Sequence, residues 1–96
     1  IMRSAYFNRL LGRTAIAYSC RSKFFLLTDW YDGNTLQHNH SHHKLLAIPF
    51  NIRFLMMLDI VRDVAILHRH QLIHGDIKAE NVLLDGEHAR LIDLDG

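Results

Sequence analysis

The sequence predicts an α+β fold, and three observations predict it. From about Phe50 to His70 the apolar residues step by three and four, the period of a helix with one buried face. Residues 14–19 and Phe24–Trp30 are two β-leaning runs separated by the polar turn Arg21-Ser22-Lys23. Val82-Leu83-Leu84 and Ala89–Ile92 are two more, joined across Asp85-Gly86, a strong turn signal.

Taken in order, residues 2–11 read as a first helix. Ala5, Tyr6 and Leu10 fall at helical spacing, and Gly12 is a stop. The two runs that follow make a β-hairpin. Asp32-Gly33-Asn34 then breaks the pattern. Residues 34–44 are polar, and Pro49 sits where a helix can begin. In the long helix Met57, Ile60, Val61, Val64, Leu67 and Gln71 form the core-facing stripe, while Asp59, Arg62, Asp63 and Arg69 lie on other faces. The Asp59–Asp63 repulsion and the Asp59–Arg62 attraction are each worth about 0.2–0.5 kcal/mol. A loop over 71–81 leads to the second hairpin, and there is no internal repeat.

Composition excludes several classes. The chain has 96 residues, enough for one small domain. Its 49% hydrophobic and 22% charged residues are those of an ordinary soluble globular protein. A net charge of +1, with neither sign blocked into a tail, gives no basis for a nucleic-acid partner or an acidic membrane. No apolar run is long enough to span a bilayer, and no signal-peptide layout precedes the first helix. Cys20 is the only cysteine, so no intrachain disulfide can form. A reducing, intracellular and cytoplasmic setting is the simplest expectation. Ile1 in place of Met suggests a segment of a longer protein.

The richest stretch is His74-Gly75-Asp76-Ile77-Lys78-Ala79-Glu80-Asn81, followed by Val82-Leu83-Leu84 and by Leu91-Ile92-Asp93. It resembles the catalytic loop of the eukaryotic-type protein kinases, H-R-D-L-K-x-x-N, with its metal-binding Asp one hairpin downstream. Phosphoryl transfer needs positioning and charge stabilisation more than covalent help. The resemblance implies Asp76 as the carboxylate that orients the acceptor hydroxyl and receives its proton. It implies Lys78 as the cation beside the migrating phosphoryl group, and Asn81 and Asp93 as magnesium ligands. His74 is expected to be a structural strut that bonds backbone near the metal-binding Asp.

The resemblance extends upstream. Phe24–Leu36 looks like the strand, hinge and turn that join the two kinase lobes. It implies that backbone groups at Asp29 and Tyr31 bind adenine and that Thr28 guards the pocket behind it. Leu83 would form part of the adenine floor, and Thr35 is expected beside the ribose. The whole is then a partial protein-kinase-like fold. Residues 1–31 would be the end of the small lobe and the hinge. Residues 32–96 would be the start of the large lobe, with its long helix, catalytic loop and hairpin. The implied function is ATP-dependent, magnesium-dependent phosphorylation of a protein Ser or Thr hydroxyl. Three alternatives are a small-molecule kinase of the same fold, a pseudokinase acting as a binding module, and a His-rich metal-binding protein.

The departures from the family pattern are specific. Gly75 replaces the Arg that engages a phosphorylated activation loop. His-Gly-Asp also occurs in aminoglycoside and choline kinases, but those more often carry His at the position of Lys78. Asp-Phe-Gly becomes Asp93-Leu94-Asp95, one residue early, with Asp95 the second candidate ligand. No Gly-rich loop or phosphate-anchoring Lys is recognisable, so the 96 residues alone are expected not to transfer phosphate. His38, His40, His42 and His43 are imidazoles suited to zinc or nickel, but their spacing matches no closed structural site and they read as a solvated linker.

Overall fold

The computed structural model describes residues 2–29 and 31–92, which fall into two units divided after residue 30. The first unit contains α1 (Met2–Leu10), β1 (Ala15–Cys20) and β2 (Lys23–Thr28). Small Ser4 and Ala5 let α1 approach β1 closely, and Phe7 fills the contact; all three are buried. Tyr6, expected in that face, is instead 45% exposed, because the docked face runs through Ser4 and Phe7. The helix stops at Gly12 as expected, where Gly12 N donates to Arg9 O and Arg13 N to Asn8 O.

β1 and β2 pair antiparallel from Ala15↔Thr28 to Cys20↔Lys23. The strand thus ends at Thr28, short of the predicted Trp30, which lies outside the described residues. The connection is Arg21-Ser22, with φ of 52° and 64°. Both central residues are left-handed, as a two-residue turn matched to the strand twist requires. Tyr18 stacks on its cross-strand partner Phe25 with centroids 5.2 Å apart.

The second unit begins with β3 (Asn34–Thr35), which pairs with β4 (Val82–Asp85), which in turn pairs with β5 (His88–Leu91), giving sheet order β3-β4-β5. Gly33 allows the first pairing. Its φ is +116°, and a Cβ there would run into the carbonyl oxygen of Leu84. Thr35 then starts α2 (Leu36–Ser41): its Oγ1 accepts the His38 N–H at 3.1 Å. The predicted linker is therefore a helix. It has no apolar stripe to announce it and is held by its caps, with His43 N donating to His40 O and Lys44 N to Asn39 O.

A 3-10 turn at Leu45–Ala47 leads to Pro49 and α3 (Phe50–Arg69), close to the predicted span. Gln71, assigned to the apolar stripe, is instead the left-handed cap residue, φ 59°, with Gln71 N donating to His68 O and Leu72 N to Leu67 O. Of the stripe only Leu67 is fully buried, joined by Met56 from outside it. They pack with Val82, Leu84, Ala89 and Leu91 of the hairpin. Met57 and Val61 are 55% and 56% exposed. They line an apolar groove of about 370 Å³ with Leu36, Ile60, Val82 and Leu84.

Asp59 and Asp63 overturn a second expectation. Rather than lying on faces away from the core, they clamp the edge strand. Asp59 Oδ2 accepts the Ala89 N–H at 3.0 Å, and Asp63 Oδ2 accepts the Leu91 N–H at 3.2 Å. The outward N–H groups of β5 thus find acceptors one helical turn apart, which satisfies an otherwise open sheet edge.

Replacing Gly33 by Ala should cost at least about 2 kcal/mol through strain and the clash with Leu84. Urea denaturation monitored by circular dichroism would measure it, and a neutral substitution would refute the close approach.

Candidate active site

The loop after α3 folds around one imidazole. His74 is buried, with Nε2 3.0 Å from Ile92 O and Nδ1 3.1 Å from Asp76 N. A carbonyl can only accept and a backbone N–H can only donate. His74 therefore carries its proton on Nε2, donates to Ile92 and accepts from Asp76. Gly75, between them, has φ +84°, a left-handed conformation in which the Arg of the family motif would be strained. The strut expected at His74 is thus a two-sided bond, from the loop to the end of the hairpin.

Asp76, Lys78 and Asn81 come together. A 3-10 turn at Ala79–Asn81, closed by Asn81 N donating to Lys78 O, carries Asn81 back beneath Asp76. Asn81 Nδ2 donates to Asp76 O at 2.7 Å and to Asp76 Oδ2 at 3.1 Å. Lys78 Nζ lies 3.4 Å from the same Oδ2. The Lys78 and Asp76 side chains are 51% and 59% exposed, so this ion pair adds only about 0–1 kcal/mol. Its value is geometric: the carboxylate is held through one oxygen, and Oδ1 has no partner among the described residues.

Asn81 is only 2% exposed. With its amide nitrogen committed to two acceptors, Oδ1 faces the other way, buried and without a hydrogen-bond partner among the described residues. A buried acceptor left so costs about 1–3 kcal/mol. It suits a hard cation such as magnesium, which takes oxygen ligands. Ile92 is fixed on both backbone groups, its N–H by Asn81 O at 2.9 Å and its carbonyl by His74. Asp93, the predicted second ligand, and Asp95 lie outside the described residues.

The predicted nucleotide-binding residues divide. Thr35 and Leu83 are cross-strand partners in β3 and β4. Leu83 also faces Arg90 across β4 and β5, and the Arg90 guanidinium lies 4.3 Å from the centre of the Tyr31 ring. Tyr31, Thr35, Leu83 and Arg90 thus share one face of the sheet, opposite Val82, Leu84, Ala89 and Leu91. The Thr35 hydroxyl already accepts from His38, which leaves its proton to donate. Asp29 belongs to the other unit, where Oδ2 accepts the Thr14 N–H at 3.1 Å. Sequence reasoning missed Arg90 and its ion pair to Asp85 Oδ2 at 3.7 Å. The signal was the alternation His88-Ala89-Arg90-Leu91, which puts Arg90 beside Leu83 rather than in the core.

Among the described residues no group of three or more His, Cys, Asp or Glu converges as a metal site. His38 is held below the ordinary imidazole value, first by partial burial and then by His42 and Lys44. No helix among the described residues is long and apolar enough to cross a membrane.

The sequence profile of the protein kinase domain matches residues 6–95. The chain therefore belongs to the protein kinase domain family, and its helices and small antiparallel sheets are a partial kinase-like α+β fold. It is 33% identical over 61 residues to a dual specificity protein kinase, zakA, of Dictyostelium discoideum, covering 62% of this chain and 8% of that protein. It is 38% identical over 65 residues to the serine/threonine-protein kinase-like protein CCR2 of Arabidopsis thaliana, covering 65% and 8%. With Kinase suppressor of Ras B of Caenorhabditis elegans it shares 30% identity over 89 residues, covering 85% and 16%. The chain thus spans between 8% and 16% of the length of these curated relatives.

Replacing His74 by Ala should cost about 2–4 kcal/mol, since it strands the Ile92 carbonyl and the Asp76 N–H together. Denaturant titration would measure it, and loss of amide-exchange protection at Asp76 would localise it.

Proposed function

We propose that the protein carrying this chain transfers the γ-phosphoryl group of ATP to a Ser or Thr hydroxyl of a protein substrate. The observation that carries the reading is the Asp76 carboxylate, fixed through Oδ2 by Asn81 and Lys78, exposed, and unengaged at Oδ1. A hydroxyl brought to Oδ1 would be oriented by it and would lose its proton to it as the phosphoryl group arrives. Lys78 stands beside that oxygen pair and offsets negative charge on the migrating group. Asn81 Oδ1 and the Asp93 carboxylate would hold magnesium, which when bound neutralises phosphate charge.

Residues 1–31 then serve as the end of the small lobe and the hinge, and residues 32–96 as the start of the large lobe. Backbone groups of Asp29 and Tyr31 take the adenine, Leu83 lies beneath it, and Thr35 meets the ribose. A protein acceptor, rather than a small molecule, is favoured by Lys78-Ala79-Glu80-Asn81, which follows the serine/threonine kinase pattern. Exposed, free Cys20 suits a reducing cytoplasm.

Transfer from radiolabelled ATP to protein acceptors and to small alcohols tests both parts. Asp76→Asn is expected to lower kcat by about 10²–10⁴-fold while the fold is kept. Undiminished turnover by that variant would refute the role of Asp76. Transfer to small alcohols alone would refute the protein acceptor.

A further inference from the structure

The histidines outside the loop take on a different meaning once α2 is a helix. His38 and His42 stand one turn apart on it, and their rings stack with centroids 4.0 Å apart and planes 26° apart. His42 Nδ1 lies 2.9 Å from the carbonyl oxygen of His38, which can only accept, so His42 is protonated on Nδ1. Its Nε2 then carries the free lone pair. A backbone carbonyl holding one ring nitrogen so that the other can ligate is the usual support of a metal-bound histidine.

His70 makes the same Nδ1 contact to Ile66 O, so the contact alone marks no site. What α2 adds is a second imidazole one turn back, on a helix pinned at both ends by the Thr35 cap and the left-handed His43. A nitrogen lone pair lies in its ring plane, so the stack must open for both rings to ligate. His42 stays on its carbonyl, and the His38 ring, which has no hydrogen bond among the described residues, turns out of the stack to bring its nitrogen about 2.0–2.1 Å from an ion on His42 Nε2.

We propose that His38 and His42 form a two-imidazole site for a late first-row divalent cation, Zn²⁺ or Ni²⁺, with water completing the coordination. It is separate from the phosphoryl-transfer loop and does not depend on that function. Imidazole is the ligand type such ions prefer over the oxygen donors that suit magnesium. Binding fastens the last turn of α2 to its first and stabilises a helix otherwise held by its caps.

The test is calorimetric titration of the tag-free protein with zinc chloride and nickel chloride at about pH 7.5, where imidazole is largely neutral. His38→Gln and His42→Gln should each weaken binding about tenfold or more, as expected when one of two ligands is lost. His38→Gln keeps the carbonyl that holds His42, so helix loss does not confound it. His40→Gln, on the opposite side of the helix, should bind as the parent does. Ser41→Pro keeps all four histidines of the segment but breaks α2, and should also weaken binding. The proposal fails if the parent protein does not bind, if either single ligand variant or Ser41→Pro binds as tightly as the parent, or if His40→Gln loses as much as His38→Gln.

Discussion

The second unit depends on the buried imidazole of His74. One ring nitrogen donates to Ile92 O and the other accepts from Asp76 N, so a single side chain ties the loop to the end of the hairpin. A neutral ring in one tautomer is the only species that can do both. Asn81 repeats the connection from the other side, with its side chain on Asp76 and its backbone carbonyl on Ile92. The backbone on which Asp76 rides is therefore anchored at two points, and its carboxylate projects from a fixed base.

That anchoring explains how an exposed carboxylate can be well positioned. In the proposed role Asp76 and Lys78 must stay accessible to substrate, so neither can be fixed by burial. Order comes instead from His74 and Asn81, which are buried and bond both the loop and Ile92 at the end of the hairpin. The hairpin that receives the loop is held in turn by Asp59 and Asp63 of α3, whose carboxylates cap the edge of β5. Charge repulsion between the two aspartates is offset because each faces N–H donors, and a carboxylate–amide bond is stronger than a neutral one.

Much of this was readable before the structure. The 3.6-residue period located α3 within a residue or two, and turn chemistry located both hairpins. The spacing of His74, Asp76, Lys78 and Asn81 named the loop that the structure assembles. Other features were not readable. α2 lacks an apolar stripe, so periodicity was silent, and only the Thr35 cap could have announced it. The Met57–Val61 stripe was read as core because helical spacing reports an apolar face, not whether anything lies against it. Asp59 and Asp63 looked like solvent residues because their partners lie some thirty positions away.

By itself the sequence determined α1, α3 and the two hairpins, the family, and the set of side chains that the proposed function uses. These are local matters of period, turn residues and spacing, which neighbouring positions dictate. Only the tertiary structure decided the tautomer of His74, the buried and unpaired oxygen of Asn81, the use of the two aspartates as an edge cap, and the pairing of His38 with His42. Each depends on which donor meets which acceptor once distant segments, or successive turns of a helix, are brought together. Hydrogen bonds act over about 3 Å, and no spacing along the chain reports such a meeting.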